Sequence, residues 1–359
     1  MKIYLDNTAW VRGPLSSVGL CAFYLSKALR QLHLARSDWQ VLDVSRVPVK
    51  SGSQRSPEVK QMDFAKRLLG EKGSVYHSVD TMLPPFAKGR KVVTLHDCWT
   101  LRENDWQDPK FQKRKKLKLE KSLDRADAIV VPTQHVFDQM LKLRPNLASK
   151  LRKVGWGPML ALEHKEVDAR EFIDKDAPVA KYLAKERSYV LCVANLENRK
   201  NHKLLFEAMK SLPNMDLVLV GGKGFGWEKV SKDFAELSKE QPCFHFEGLS
   251  QNAMKALYRN CLGLVQPSFD EGFGLPVCEA LFFNKPLILS QIDPFYEIAG
   301  ESAVYFDPHS GLNDLKSYLQ ALSQDPDFAE SLSMKCETRK HLFSWELIAR
   351  SYLQIYREL

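Results

Sequence analysis

The chain has no two cysteines close enough to read as a metal or redox motif. Its seven cysteines (Cys21, Cys98, Cys192, Cys243, Cys261, Cys278 and Cys336) are odd in number and scattered through 359 residues. That pattern argues against zinc spacing and against a disulfide framework, and it suits a reducing compartment. No stretch approaches the roughly 18–20 apolar residues that a membrane helix needs. The opening Met1-Lys-Ile-Tyr-Leu-Asp-Asn7 turns polar too soon for a secretory leader and reads as a first strand. The expected location is therefore the cytoplasm. What the chain has in excess is positive charge, +8 overall, which favours nucleotide phosphates, an acidic acceptor or anionic lipid as company. No recognisable nucleic-acid-binding motif accompanies that charge, so no nucleic-acid partner is expected.

Short β-branched or apolar runs alternate with amphipathic stretches. In the first half, strands are expected at Lys2–Leu5, Gln40–Val44, Val75–Val79, Val92–His96, Ala128–Pro132 and Lys153–Trp156. Helical patterns cover Val18–Leu32, Glu58–Leu69 and Gln112–Leu123. The charged stretch from Glu163 to Arg187, with the turn-prone Asp174-Lys-Asp-Ala-Pro178, suits a linker. Strands then resume at Tyr189–Val193, Leu217–Val220, Phe244–Phe246, Gly263–Val265, Leu287–Leu289 and Val304–Phe306. Repeated strand–helix units imply right-handed crossovers and parallel sheets covered on both faces. The expected fold class is α/β, with two doubly wound, Rossmann-like domains facing a cleft. Their bounds are 1–162 and 188–342, with 163–187 between them and a terminal helix in 343–359. Ligands in such folds sit at the carboxyl ends of the strands.

One segment carries chemistry more clearly than the rest. Strand Gly263–Val265 runs into Gln266-Pro-Ser-Phe-Asp-Glu271 and then Gly272-Phe273-Gly274-Leu275-Pro276. The two glycines permit positive φ and close approach of backbone to a ligand. Pro276 suits the first position of a helix that ends near Asn284 and Pro286. Free N–H groups at Val277 and its neighbours would offer a site for a diphosphate. Glu279, one turn into the helix, is placed to accept two ribose hydroxyls, and Glu271 to accept hydrogen bonds from a sugar.

The run Pro267-Ser-Phe-Asp-Glu-Gly-Phe-Gly-Leu-Pro-Val-Cys-Glu-Ala280 resembles the E-x7-E signature of retaining glycosyltransferases of family 4, which have the GT-B fold. The resemblance implies that Glu271 contacts the donor sugar and Glu279 the ribose. It also implies donor-binding roles for Gly272, Phe273, Gly274 and Leu275. Val193-Ala-Asn-Leu-Glu-Asn-Arg-Lys-Asn201 resembles the family's basic phosphate-binding turn. Arg199 and Lys200 can clamp a diphosphate, although two exposed cations in a polar turn are more often just solvated. Ala194-Asn195 replaces a Gly-Arg of many members, which makes Lys200 the better-supported of the two cations.

Val92-Val-Thr-Leu-His-Asp97, preceded by Val75-Tyr-His-Ser78, resembles the family's strand ending in His-Asp. His96 would touch the donor sugar, and Asp97 would position the acceptor or take its proton. Ser17-Val-Gly-Leu-Cys21 resembles the family's Gly-Ile-Gly turn, and only Gly19 matches; Gly13-Pro14 reads as the turn before it. Phe343-Ser-Trp-Glu346 and the helix to Tyr356 resemble the family's last helix, which crosses back onto the first domain.

The resemblance implies a retaining transfer of a hexose from a GDP- or UDP-linked donor to a glycan or lipid-linked acceptor. Mannose from GDP-mannose is the expected sugar and bacterial surface polysaccharide the expected product. No cofactor and no metal are expected. Asp174-Lys-Asp176 has the letters of a metal-binding D-x-D but lies in the expected linker, and reads as a solvated turn. The alternatives are a sugar-nucleotide epimerase or phosphorylase, or a non-catalytic sugar-nucleotide-binding protein, on the same scaffold. A nicotinamide enzyme would rest on Gly222-x-Gly224-x-Gly226 and Glu247, but the spacing misses the dinucleotide fingerprint by one residue. Finally, Lys110–Lys121 contains Lys113-Arg-Lys-Lys116 with Phe111, Leu117 and Leu119. It is expected to make peripheral contact with anionic lipid on the inner membrane face.

Overall fold

A computed structural model of the chain describes residues 1–12, 16–33, 38–47, 60–61, 73–85, 87–102, 109–160 and 176–359. Gly13-Pro14, most of the Glu58–Leu69 helix and residues 163–175 of the expected linker, with Asp174, lie outside these residues. The chain divides into two units. The first is Met1–Asn104, Asp108–Met159 and Phe343–Leu359, and the second Asp105–Gln107 and Leu160–Leu342.

The first unit is built on a seven-stranded sheet. Its strands are β1 (Lys2–Asp6), β2 (Gln40–Ser45), β3 (Lys60–Gln61), β4 (Val75–Ser78), β5 (Arg90–Thr94), β6 (Ala128–Val131) and β7 (Leu151–Lys153). All pair in parallel, in the order β3-β2-β1-β4-β5-β6-β7. The order reverses direction between β1 and β4, the place where such sheets open a crevice at their carboxyl ends. Two expectations change here. Lys60 and Gln61 pair with Val44 and Ser45, so these two residues of the expected Glu58–Leu69 helix are strand. The last strand is Leu151–Lys153 rather than Lys153–Trp156, because Leu151 pairs with Ile129; Val154 N–H makes one more bond to Val131 O at 3.0 Å, and Trp156 is buried by packing beyond the ladder.

The terminal helix Trp345–Glu358 belongs to this first unit. Ser344 caps it by accepting from Leu347 N–H at 3.2 Å. Trp345, Ile348, Ala349, Tyr352, Leu353 and Tyr356 recur at helical spacing and are buried together. Trp345 Nε1 donates to Pro158 O at 2.8 Å. The neighbouring Gly157 leaves room for that indole, which a Cβ there would meet at 2.8 Å.

The second unit carries a six-stranded parallel sheet of β8 (Tyr189–Val193), β9 (Asp216–Val220), β10 (Cys243–Phe246), β11 (Gly263–Gln266), β12 (Leu287–Ser290) and β13 (Ala303–Phe306). Its order, β10-β9-β8-β11-β12-β13, reverses between β8 and β11. Val190, Leu217, Leu219, Val265, Ile288 and Phe306 form the centre of its core. Part of the expected linker belongs here, as the helix Ala177–Leu183. Asp216, fully buried, accepts from Tyr182 Oη at 3.2 Å and from Arg187 at 2.6 and 2.7 Å. Asp176 is likewise buried rather than solvated, and accepts from Ser250 N–H at 3.0 Å. Among the described residues, no helix is long and apolar enough to cross a membrane.

Candidate active site

The turn after β8 and the loop after β11 leave the second sheet at its switch point, which brings residues about 70 positions apart into contact. Gln266 Nε2 donates to Val193 O at 2.9 Å and ties the two strand ends together. Phe269 N–H donates to Arg199 O, also at 2.9 Å. The basic turn is a short 3₁₀ segment, Asn198–Lys200, closed by Asn201 with φ 51°. That left-handed backbone is tolerated by asparagine better than by other non-glycine residues. Asn201 is held there by donating Nδ2 to Pro308 O at 2.8 Å.

Glu271 is the hub. It is 8% exposed, and Lys200 Nζ donates to its Oε1 at 2.6 Å. Ser268 Oγ donates to the same oxygen at 2.8 Å, and Arg199 reaches Oε2 at 3.2 Å. Arg199 also donates to Asp270 O at 2.6 Å and pairs with Glu197. Burial pushes the Glu271 carboxyl up, but Lys200 and Arg199 together pull it further down, to below the ordinary carboxylate range. Arg199 is 5% exposed, so the clamp is a buried ion-pair network and not a solvated loop. Both glutamate oxygens are engaged, which suits holding and orienting rather than nucleophilic attack.

The glycines of the following loop divide their work. Gly274 takes φ 107°, and a Cβ on it would meet Phe295 Cε1 at 2.9 Å; of the loop's two glycines it is the one with positive φ. The helix then runs Leu275–Phe282, so it begins one residue before Pro276. The N–H groups of Val277 and Cys278 both donate to Gly274 O, at 2.9 and 3.2 Å, and are not the open diphosphate donors expected of them. Phe273 is buried at the base of the loop and Leu275 is half-buried. Glu279 is buried too, but its surroundings differ from those of Glu271: both its oxygens accept from Leu160 N–H at 3.2 Å. The glycines at 222, 224 and 226 pack two turns together. Gly222 N–H donates to Asn195 Oδ1, and Gly224 N–H to Leu196 O.

In the first unit, His96 follows β5. Its Nε2 donates to Val79 O at 2.7 Å, which leaves Nδ1 as the acceptor of a neutral ring. The imidazole stacks on Trp156 with centroids 5.6 Å apart and planes at 12°. Burial holds it below the ordinary imidazole range, against the opposite pull of the Val79 carbonyl. Asp97 closes a local turn, with Oδ1 accepting from Trp99 N–H at 3.1 Å. Gly19 lies in the first turn of the helix Ser17–His33, and its N–H donates to Ser16 Oγ at 3.1 Å; that donor is a helix-capping group. His77, in the Val75-Tyr-His-Ser78 segment, is fully buried and shares hydrogen bonds with Tyr356 Oη at 2.6 Å and Thr94 Oγ1 at 2.8 Å.

The structure thus joins Arg199, Lys200 and Glu271, places Gly272, Phe273, Gly274, Leu275 and Glu279 in the adjoining loop and helix, and sets His96, Asp97 and Gly19 in the other unit. Sequence reasoning missed Ser268, Glu197, Trp156 and Leu160. Ser268 was findable, since a hydroxyl three residues before a loop carboxylate is a common local partner; the others meet the site through tertiary packing.

Known proteins bear on this geometry. Residues 174–339 match the family model for glycosyl transferases group 1, which covers the basic turn, the Glu271 loop and the helix after it. The chain is a glycosyltransferase of GT-B architecture. It is 23% identical to O-antigen chain mannosyltransferase B of Escherichia coli across the whole of both chains. It is 25% identical to O-antigen chain mannosyltransferase RfbU of Salmonella typhimurium over 48% of this chain and 46% of that one. Among solved structures, sucrose-phosphate synthase from Thermosynechococcus elongatus superposes with a TM-score of 0.74 at 20% identity, covering 100% of this chain and 98% of the other. Anabaena HepE in complex with UDP-glucose superposes with a TM-score of 0.73 at 14% identity over all of both chains.

Proposed function

We propose that the protein transfers a hexose, mannose first among the candidates, from a nucleoside-diphosphate sugar to a hydroxyl of a glycan or lipid-linked acceptor in surface polysaccharide synthesis. The observation that carries this reading is the Lys200–Glu271–Arg199 network at the switch point of the second sheet. Mannose and the polysaccharide are supported by the O-antigen mannosyltransferases similar over half or all of this chain. The nucleotide-sugar donor is supported by the UDP-glucose held by a fold neighbour.

In the proposed site, Lys200 and Arg199 stabilise charge on the departing diphosphate, the work that a metal does in other transferases. Glu271 turns one oxygen to the sugar hydroxyls while it fixes the two cations, and Glu279 takes the ribose as in the E-x7-E family of retaining enzymes. His96 Nδ1 accepts from a sugar hydroxyl. Transfer with retention then proceeds on one face of the sugar. The acceptor oxygen bonds to the anomeric carbon, the bond from that carbon to the phosphate oxygen breaks, and the acceptor proton passes to the departing phosphate. The test is transfer from GDP-mannose and UDP-hexoses, followed by the anomeric configuration of the product and its insensitivity to chelator. An inverted product overturns the one-face mechanism, and release of nucleoside diphosphate from no donor overturns the reading.

A further inference from the structure

The carboxyl ends of β1, β2 and β4 meet where the first sheet reverses, and they bring three ionisable side chains together. Asp6 ends β1, Arg46 follows β2, and Asp80 lies two residues beyond β4. Arg46 bridges the two aspartates, with Nε 2.6 Å from Asp6 Oδ2 and Nη2 donating to Asp80 Oδ2. Asp6 is fully buried and also accepts from Tyr76 Oη at 2.7 Å and Thr8 N–H at 2.9 Å. Arg46 and Asp80 keep 18% and 19% of their side chains in solvent, so the inner aspartate fixes the guanidinium while the outer one reaches the surface. The turn that carries Asp80 is held on both sides. Thr81 takes φ 70°, unusual for a β-branched residue, and its Oγ1 donates to Thr94 O at 2.5 Å. Val79 O accepts from His96 Nε2 at 2.7 Å, which puts Asp80 next to the backbone that orients His96.

The two oxygens of Asp80 are unevenly used. Oδ1 accepts from Ser78 Oγ at 2.8 Å and from Met82 N–H at 3.2 Å, while Oδ2 accepts from Arg46. A carboxylate offers about four acceptor positions, shared between its oxygens, which leaves one on Oδ2. The Nη1 donors of Arg46 likewise have no partner among the described residues. One open acceptor beside open donors matches two adjacent hydroxyls of a sugar: one donates to Oδ2, and its neighbour accepts from Nη1. Asp80 and Arg46 cancel each other's charge, so no surplus positive charge is left to hold a phosphate. Thr8 Oγ1 accepts from Arg46 N–H at 2.8 Å, which ties the helix Thr8–Arg12 to the pair. That helix brings in Trp10, half-buried and stacked on Phe23 with centroids 4.6 Å apart and planes at 22°. A few convergent polar groups beside an aromatic ring are the usual make-up of a small-molecule site.

We infer that Asp80 and Arg46 read the acceptor: they take two adjacent hydroxyls of its terminal sugar, so the acceptor presents an uncharged polyol here and not a phosphate. The word acceptor rests on the transfer proposed above, but the binding is read with no donor and no turnover. The experiment is a titration of the full chain with mannotriose, followed by saturation-transfer NMR. The wild type is expected to give a saturation-transfer signal that equimolar inorganic phosphate does not displace. Asp80→Asn is expected to weaken mannotriose binding about 10-fold while the thermal shift produced by GDP or UDP is kept. Trp10→Ala, which leaves the ion pairs intact, is expected to weaken it about 5-fold. Asp124→Asn, which breaks an exposed pair with Arg144 in the same unit, is expected to leave it unchanged. A wild type that no nucleotide shifts contradicts the transfer reading, whereas the mannotriose site is decided by its own titration. Absence of a signal in the wild type, displacement by phosphate, or wild-type affinity in Asp80→Asn overturns the proposal. So does an equal loss in Asp124→Asn, which marks a general charge effect. If Asp80→Asn lowers the melting midpoint, Trp10→Ala decides, and unchanged mannotriose binding in that variant overturns the proposal.

Discussion

The two units end their central strands on groups of opposite electrical character. In the second, Glu271 sits buried between Lys200 and Arg199, and every member carries charge. In the first, His96 stacks neutral on Trp156, and behind it His77 is buried between Tyr356 and Thr94. The aromatic layer continues from Trp156 to Tyr352 and Trp345 of the terminal helix, with centroids 5.9 and 6.2 Å apart. A low-dielectric pocket strengthens charge interactions but penalises any charge left without a partner. A group meant to receive a diphosphate therefore keeps its cations buried against a carboxylate. A group meant to touch sugar hydroxyls needs neutral donors and acceptors held rigidly, and an aromatic layer holds them without charge.

The sharpest way to break this contrast is to remove the charged side. Lys200→Ala is expected to lower kcat by about 10²–10³, the loss typical of one preorganised electrostatic donor, as measured by initial rates at saturating donor. Glu271→Gln strands two buried cations and is expected to cost about 3 kcal/mol in denaturant unfolding. Lys200→Met in the same chain is expected to restore part of that loss, because the pair is then removed together. Gly274→Ala tests the loop itself. A methyl at φ 107° and 2.9 Å from Phe295 is expected to cost about 2 kcal/mol, read from the same unfolding curves.

On the neutral side the lever is pH. Burial first, and the neighbouring His96 second, push His77 down to about 3 from 6.5. The unfolded chain then binds the proton that the folded chain refuses. The stability His77 contributes is present above about pH 6.5 and is lost as the pH falls towards 3. Within that window the loss is up to about 1.4 kcal/mol per pH unit. His202 in the second unit, pushed down to about 4 chiefly by burial, acts in the same direction over a narrower range. His77→Gln is expected to flatten the acid limb of the melting-temperature profile, and an unchanged limb would place the acid sensitivity elsewhere. The smallest effect belongs to Asp97→Asn. Its Oδ1 accepts from Trp99 N–H, which an amide oxygen also does, so activity is expected to fall less than about 3-fold. A loss as large as that of Lys200→Ala would return Asp97 to the chemistry.

Much of this fold was legible because its strands are short β-branched runs bounded by turn residues. Tyr189–Val193 stands where its pattern placed it. The misplacements have physical causes. Trp156 is apolar because it is buried, and burial is not pairing; it stacks on His96 instead of joining a ladder. Lys60 and Gln61 have no strand pattern and become one only because Val44 and Ser45 lie alongside. In the site, the residue types were legible and the partnerships were not. Nothing local ties Arg199 to Glu271, or Glu279 to the backbone of Leu160, since the sheet order creates both meetings. The helix N-terminus after Gly274 illustrates the same limit: the Gly-Leu-Pro spelling announces a helix start, while the use of the Val277 N–H by Gly274 O depends on the turn adopted.

The most direct measurement is a thermal-shift titration with GDP and UDP on the wild type, on Lys200→Ala and on His96→Ala. If the charged group receives the diphosphate, at least one nucleotide raises the wild-type midpoint, as a ligand bound only by the folded state must. That shift is then lost in Lys200→Ala and kept in His96→Ala. A midpoint that neither nucleotide moves, or a shift that survives the loss of Lys200, would contradict the account.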